Sequence, residues 1–423
     1  MTMLRHHELL ESNVRYYSRK FPCVFSRAKG SLIFDEEGQR WIDFFAGAGA
    51  LNLGHNNTKL KNAVIDYLEQ DGIAHGLDMY TTARFEFMKK FDICILRPRN
   101  LSYKIQITAP TGTNSIEAAI LLARKVTNRD LILAFSGGFH GMTLGSRSIS
   151  ATLRKQSDRC VDSQPVEFLE YPCSNQRLDN ITEQIRVALT QNYVQSRKPA
   201  AIVLETVQAE GGINIAPIEW LQELRAICSR NGILLIVDDI QVGCGRVGEF
   251  FSFERAHIIP DIVALSKSIS GLGQPMSLLL IKPEYDQWAP GEFNGTFRGN
   301  QLAFVASCKA LDIYGGTYLY QTVKANEKFI NQFFNQKILP IDHRVRVRGI
   351  GMLWGLDFGA FDNYDMAQDI QASCFKRGLI VETAGRHGQV IKLLPPLTIP
   401  RHLLFDGLTI LAESIRQYTV SAN

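Results

Sequence analysis

An α/β fold built on a mostly parallel central sheet is predicted by three features of the sequence. Short unbroken apolar runs, one from Ile233 to Val237 and another opening at Asp261 and reaching Leu265, fit strands buried on both faces. Stretches of helical spacing, such as residues 59–70 with Leu60, Val64 and Leu68, alternate with such runs. Residues 336–423 then repeat the alternation as a compact α/β unit of their own, so the 423 residues divide into two or three domains.

In chain order, residues 1–45 open with a short helix, and SLIFDEEGQRWIDFF reads as a hairpin around an Asp-Glu-Glu-Gly turn. The loop AGAGALNLGHNN suits either a tight connection or the lining of a substrate site, and its residues alone leave both open. Helices are expected over 59–70 and 82–94, then a strand in YKIQITAP and a helix in TGTNSIEAAILLARKVT. Thr113 or Asn114 can cap that helix, with Glu117 three residues after Asn114 as in a capping box. Gly112 allows close backbone approach, and the free amides and positive dipole end make a phosphate seat. An ordinary capped helix would carry the same residues. LILAFSGG and AAIVLETVQ read as further buried strands, with one helix expected at 179–192 in the polar stretch between them. A helix from about 300 to 335 is expected to leave the large domain. VRVRGIGMLWGLDF then reads as a strand pair, and MAQDIQASCFKRGLIVET as a helix and strand.

Composition narrows the function. Apolar residues make up 45% and charged residues 21%, ordinary values for a globular enzyme. A net charge of +4, without a basic stripe, argues against nucleic acid. The eight cysteines (Cys23, Cys94, Cys160, Cys173, Cys228, Cys244, Cys308 and Cys374) form no CxxC and no metal-ligand spacing, so reduced thiols in a cytoplasmic protein are expected. No run of eighteen apolar residues predicts a membrane span, and MTMLRHHELLESN lacks the apolar core of a signal peptide.

The chemistry concentrates between Gly232 and Gly271. The first strand ends in Asp238-Asp239, and the second runs into Ser266-Lys267-Ser268. Ligands of open α/β sheets sit outside the carboxyl ends of the strands. Alone, the acid reads as a helix cap and the lysine as a solvated side chain. Together they suit a cofactor that needs a lysine for its aldehyde and a carboxylate for a protonated pyridine nitrogen.

VDDIQVGCGRVG followed by DIVALSKSISG resembles the signature of the class III, or ω-amino acid, pyridoxal-phosphate-dependent aminotransferases: Asp, Gln three residues on, G-x-G-R-x-G, then a strand ending in Ser-Lys. ESNVRYYSRKFP, FFAGAGALNLGHNN and HGLDMYT are similar to the diaminobutyrate–2-oxoglutarate branch of that family, especially its members in ectoine synthesis. The resemblance covers nearly the whole chain. It implies the fold-type-I transferase architecture. A segment 1–50 would pack with a small domain, residues 51–310 would form the large cofactor domain, and 311–423 the small α/β domain. It also implies a homodimer or dimer-based oligomer with shared sites.

Residue by residue, the resemblance makes Lys267 the Schiff-base lysine and Asp238 the partner of the pyridinium nitrogen. Gln241 approaches the ring hydroxyl, and Gly112 and Thr113 bind the phosphate. Phe139, of the Phe139-His140-Gly141 triplet, stacks on the ring; His140 adjoins it. Glu205 lies beneath the ring in ETVQAEGG, where Thr206 stands in place of the common Pro. Thr296, in EFNGTFRGN, reaches the phosphate of the other subunit, and Arg298 is a candidate carboxylate contact. Glu210 matches the glutamate that pairs with an arginine until a dicarboxylic substrate needs it. A buried acid without a cation is costly, so a cation is expected at Glu210.

That cation is expected to be Lys392. The family's I-R-x-x-P-P-L reads Ile391-Lys392-Leu393-Leu394-Pro395-Pro396-Leu397, and a lysine offers a point charge where arginine offers a planar fork. Arg386 and Arg298 are candidates for a second carboxylate contact. The expected reaction exchanges an amino group between glutamate and aspartate 4-semialdehyde. An ornithine- or 4-aminobutyrate-type enzyme, or an aminomutase-type isomerase, would use the same residues.

Overall fold

The computed structural model describes residues 3–153, 161, 163–172, 183, 185, 187, 198–361, 363 and 365–419. Its largest sheet has seven strands in the spatial order Lys104–Ile107, Leu278–Ile281, Ile262–Leu265, Leu234–Asp238, Ala201–Leu204, Ile132–Phe135 and Val166–Leu169. Leu278–Ile281 runs antiparallel to both neighbours, and the other pairs are parallel.

The apolar runs work here because both faces are covered. Leu133, Phe135, Ile202, Leu204, Leu235, Val237, Val263 and Leu265 point into one core, together with Trp220, Leu221 and Leu224 of the helix Ile218–Asn231. Ile132, Ala134, Ala201, Val203, Leu234, Ile236, Ile262 and Ala264 point into another, against Ile116, Ala119, Ile120 and Ala123 of the helix Gly112–Thr127. This is the period-two alternation of a strand, apolar on both sides. Each valine, leucine, isoleucine or phenylalanine among them contributes on the order of 1.5–3 kcal/mol by leaving water. The two helices thereby fix the sheet edge at which Asp238 and the residues after Leu265 emerge.

Two four-stranded sheets flank this core. One contains Phe25–Lys29, Leu32–Asp35, Arg40–Asp43 and Leu379–Ile380, and the last pair is parallel. The chain's first strands are thus hydrogen-bonded to its last hundred residues. The other sheet is antiparallel, in the order Arg346–Ile350, Leu353–Asp357, Val390–Leu393, Glu382–Ala384.

The helices expected at 59–70 and 82–94 form over Thr58–Glu69 and Thr82–Phe91, the second continuing as a wider turn over Asp92–Leu96. Strand Phe25–Lys29 escapes a sequence reading because four of its five residues are exposed and show no apolar alternation. The single helix expected from about 300 to 335 is instead two, Gln301–Tyr314 and Thr317–Phe333. They part at Gly315-Gly316, where two glycines remove the helical preference of the run. Of the helix expected at 179–192, residues 183, 185 and 187 are described and are helical; the rest lies outside the described residues. Among the described residues, no helix is long and apolar enough to cross a membrane.

Candidate active site

Parallel strands deliver their carboxyl ends to one edge, and there a cavity of about 160 Å³ is lined by Gly112, Thr113, Phe139, His140, Glu205, Glu210, Asp238, Gln241 and Lys267 among others. Asp238 closes the strand Leu234–Asp238 and lies beside Ala264 in the register, three residues before Lys267. Lys267 adopts φ +52°, a left-handed conformation that costs a non-glycine residue on the order of 1–2 kcal/mol. The turn that follows holds it there. Ser268 Oγ donates to Gly49 O, Tyr314 OH donates to Ser268 O at 2.9 Å, and Ser307 Oγ donates to Ile269 O at 2.7 Å. Burial pulls the Lys267 ammonium below its ordinary range. The charge of Glu210 opposes that pull, and Lys392 adds to it.

Asp238 is buried and doubly held. Oδ2 lies 2.7 Å from His140 Nδ1, and Oδ1 accepts from Ile240 N–H at 3.1 Å. Burial alone would lower His140, but its hydrogen bond to Asp238 and that group's charge raise it above its usual value. His140 therefore carries the Nδ1 proton toward the carboxylate. Glu205 accepts from Phe139 N–H at 2.9 Å and Ala209 N–H at 3.3 Å, and burial pushes it up to about 7.

At the start of the helix Gly112–Thr127 the structure corrects the cap. The helix begins at Gly112, so Thr111 is the N-cap, and its N–H donates to Asn114 Oδ1 at 3.1 Å. Glu117 is no part of a capping box. It accepts from Ser146 N–H at 2.9 Å and from the Thr143 hydroxyl, tying the helix to the segment after Gly141. Thr113 Oγ1 meets Ser146 Oγ at 2.6 Å and Thr143 Oγ1 at 2.8 Å. Gly141 must be glycine: it has φ +128°, and a Cβ there would stand 2.4 Å from Thr113 Oγ1.

The loop left open between connection and lining packs on the site. Gln241 Nε2 donates to Ala48 O at 2.9 Å and to Glu210 Oε1 at 3.1 Å, while Gln241 Oε1 is buried without a hydrogen-bond partner among the described residues. That orphaned oxygen, a helix amino terminus at Gly112, a buried carboxylate at Asp238 and a lysine on one cavity are the donor set that a phosphorylated, hydroxylated pyridine aldehyde requires.

The cation at Glu210 is Lys392. Its side chain is fully buried and its Nζ is paired with Glu210 Oε1 and, at 2.9 Å, with Glu382 Oε2. Burial works against this ammonium, but Glu210 and Glu382 outweigh it and raise Lys392 above the usual lysine range. Glu382 and Tyr17, whose hydroxyl donates to Glu382 Oε1 at 2.8 Å, were not anticipated. A signal existed: Glu382 and Lys392 are charged residues inside apolar strand pattern, a hairpin apart.

Thr296 and Arg298 are not brought to this cavity by their own chain. Thr296 is exposed. Arg298 turns back, and its Nη1 donates to Thr108 O at 2.7 Å and Ala109 O at 2.6 Å. With Nη1 on two backbone carbonyls and the side chain outside the cavity lining, Arg298 is not placed to take a carboxylate in its own chain's cavity. Arg386 is exposed.

The class-III aminotransferase family model matches residues 14–415. The chain is 48% identical over 421 residues to a diaminobutyrate–2-oxoglutarate transaminase of Streptomyces anulatus, covering 97% of each. It is 46% identical over 413 residues to one of Vibrio cholerae, covering 97% of this chain and 98% of the relative. Among solved structures, a transaminase from the marine bacterium Virgibacillus superposes with a TM-score of 0.85 at 19% identity, covering 100% of this chain and 99% of the other. At that identity the likeness shows the fold.

Proposed function

The chain belongs to the class-III aminotransferases, and from that premise we propose that it exchanges an amino group between L-glutamate and aspartate 4-semialdehyde, forming 2-oxoglutarate and L-2,4-diaminobutyrate. Enzymes of this family depend on pyridoxal phosphate, which when bound supplies an aldehyde for the amine and a ring that draws electrons from it. The observation that carries the substrate pair is the buried contact of Glu210 with Lys392, at the cavity that holds Lys267.

In this reading the residues divide the work. Amides at Gly112 and Thr113 hold the phosphate, Phe139 covers the ring and Glu205 supports its other contacts. Asp238, with His140 behind it, keeps a proton on the ring nitrogen, and Gln241 meets the ring oxygen. Lys267 Nζ removes the proton from the amino-bearing carbon of the substrate and returns it on the other side of the reaction. A depressed pKa suits it to that task near neutrality.

Glutamate reacts at its α-amine and needs a cation for the adjacent carboxylate. Diaminobutyrate reacts at its terminal amine and brings no carboxylate there. One cavity serves both if Lys392 is exposed for glutamate and neutralised by Glu210 for diaminobutyrate.

A second copy of the chain completes this reading. Leu77, Met79, Tyr80, Phe85 and Phe297 are exposed apolar residues, and Thr296 lies in the loop beside the last of them. Burying such a patch in a dimer would carry Thr296 to the phosphate of the partner subunit. The six described cysteines are free thiols, which suits the reducing cytoplasm.

The test is direct. Purified protein with pyridoxal phosphate, L-2,4-diaminobutyrate and 2-oxoglutarate should yield glutamate, faster than with ornithine or 4-aminobutyrate as donor. Preference for either of those donors would reassign the substrate, and amino-group movement without any 2-oxo acid would point to an isomerase.

A further inference from the structure

The Glu210–Lys392 pair has a third member that the proposed exchange of counter-ions leaves unused. Glu382 stands opposite Lys392 in the register of strands Glu382–Ala384 and Val390–Leu393, with Oε2 2.9 Å from Nζ. One buried ammonium therefore faces two carboxylates, and they are held very differently. Glu210 follows the short strand Val207–Gln208, is succeeded by Gly211 and Gly212, lines the cavity, and has a side chain 24% exposed. Glu382 sits within a strand, is not among the cavity-lining residues, has a side chain 4% exposed, and is anchored by the Tyr17 hydroxyl at 2.8 Å. A carboxylate on a glycine-flanked turn can move aside. One fixed in a sheet and tied by a tyrosine cannot.

Resting on the reading that Lys392 receives the α-carboxylate of glutamate, we infer that Glu382 is a positioning residue: it stays on Lys392 as a permanent counter-ion and keeps that ammonium charged and in place while Glu210 gives way to a dicarboxylate. A lysine needs such a partner more than an arginine does. It is a point charge on a flexible stem, it lacks the planar fork, and it loses its proton readily when buried alone. The charged and titratable groups facing Lys392 are Glu210 and Glu382 directly and Lys267 across the cavity, with Tyr17 acting through Glu382. Gly355, its other cross-strand neighbour, brings no charge. Without Glu382, the departure of Glu210 leaves Lys392 easier to deprotonate, so carboxylate binding weakens as pH rises.

Glutarate, a dicarboxylate that cannot accept an amino group, is the probe. It is titrated by calorimetry into pyridoxal-phosphate-loaded wild type, Glu382→Gln, Tyr17→Phe and Lys392→Ala at neutral and alkaline pH. Glu382→Gln should bind glutarate on the order of tenfold more weakly at the alkaline end than at the neutral end, and wild type should change much less. Tyr17→Phe removes only a hydroxyl from a half-exposed ring, and it should shift in the same direction by less. Rapid-scan absorbance of Glu382→Gln should show the glutamate half-reaction losing more than the diaminobutyrate half-reaction. A loss that is independent of pH, equal in both halves or absent would overturn the positioning role. If Lys392→Ala binds glutarate as tightly as wild type, the fault lies instead in placing the carboxylate on Lys392.

Discussion

His140 Nδ1 and Asp238 Oδ2, 2.7 Å apart and both buried, form the contact on which the electrostatics of the cavity turn. The histidine ring holds the carboxylate in place at the tip of its strand, on the wall of the cavity. Asp238→Asn should retain the cofactor but lose on the order of a hundredfold or more in turnover, since a neutral amide cannot stabilise a pyridinium. His140→Gln should lose less. The double variant should lose no more than Asp238→Asn alone, because the histidine acts through the aspartate. Steady-state kinetics of the three proteins checks this, and additive losses would separate the two residues.

Lys267 is expected to carry the cofactor. Borohydride treatment followed by peptide mapping should place the pyridoxyl group on Lys267. Lys267→Ala should bind pyridoxal phosphate loosely and lose transamination. A tag on another lysine, or near-normal turnover of the variant, would overturn the assignment.

Lys392→Ala should damage the two halves of the reaction unequally. Losing a charge-assisted contact costs on the order of 1.5–3 kcal/mol, roughly ten- to a hundredfold. That loss should fall on the glutamate/2-oxoglutarate half, with less on the diaminobutyrate half. Rapid-scan absorbance separates them, and equal losses would show Lys392 to be structural.

Mixing tests whether the site is shared. Thr296→Ala should weaken cofactor retention, and exchange of subunits with Lys267→Ala protein should restore part of the activity. In such a mixed dimer both defects meet in one site and leave the other intact. Proven exchange without recovery would confine each site to a single chain.

Acidity should also register in the apoprotein's stability. Burial pushes both Glu205 and Asp239 up to about 7, and His140 is held above its ordinary value. Each binds a proton more tightly folded than unfolded. They stabilise the fold below the unfolded carboxylate pKa, and that stability is lost as pH rises through about 7 and beyond. The thermal midpoint of apoprotein should fall between about pH 5 and pH 8, by an amount worth a few kcal/mol in total. Glu205→Gln should flatten the slope. A midpoint that climbs over that interval would show these groups to be ionised in the fold.

Lys267 and Asp238 were legible because a run of apolar residues ending in a polar one names both a buried strand and the side chain at its tip. The helix Gly112–Thr127 was legible as a helix, though its first residue was not. Thr111 rather than Thr113 or Asn114 caps it, because the chain enters the helix one residue before Thr113. Glu382 and Tyr17 depend on cross-strand register and on a contact between the two ends of the chain, neither of which has a local pattern. Arg298 lies near a site motif, but its Nη1 is taken by the carbonyls of Thr108 and Ala109, a tertiary contact with no local pattern. The break at Gly315-Gly316 could have been read from its two glycines.

The parallel pairing of Leu379–Ile380 with Arg40–Asp43 sets an order of events during synthesis. The fourth strand of the first sheet leaves the ribosome some 340 residues after the third, so that sheet is among the last parts of the molecule to close. Ala48, which follows those early strands and receives Gln241, and Tyr17, which ties down Glu382, settle with it. The last strand of the seven-stranded sheet ends at Ile281, and Ser307 and Tyr314, which hold the turn after Lys267, also precede Leu379. A nascent chain can thus hold a finished scaffold for the cofactor long before it holds a pocket that can tell one substrate from another.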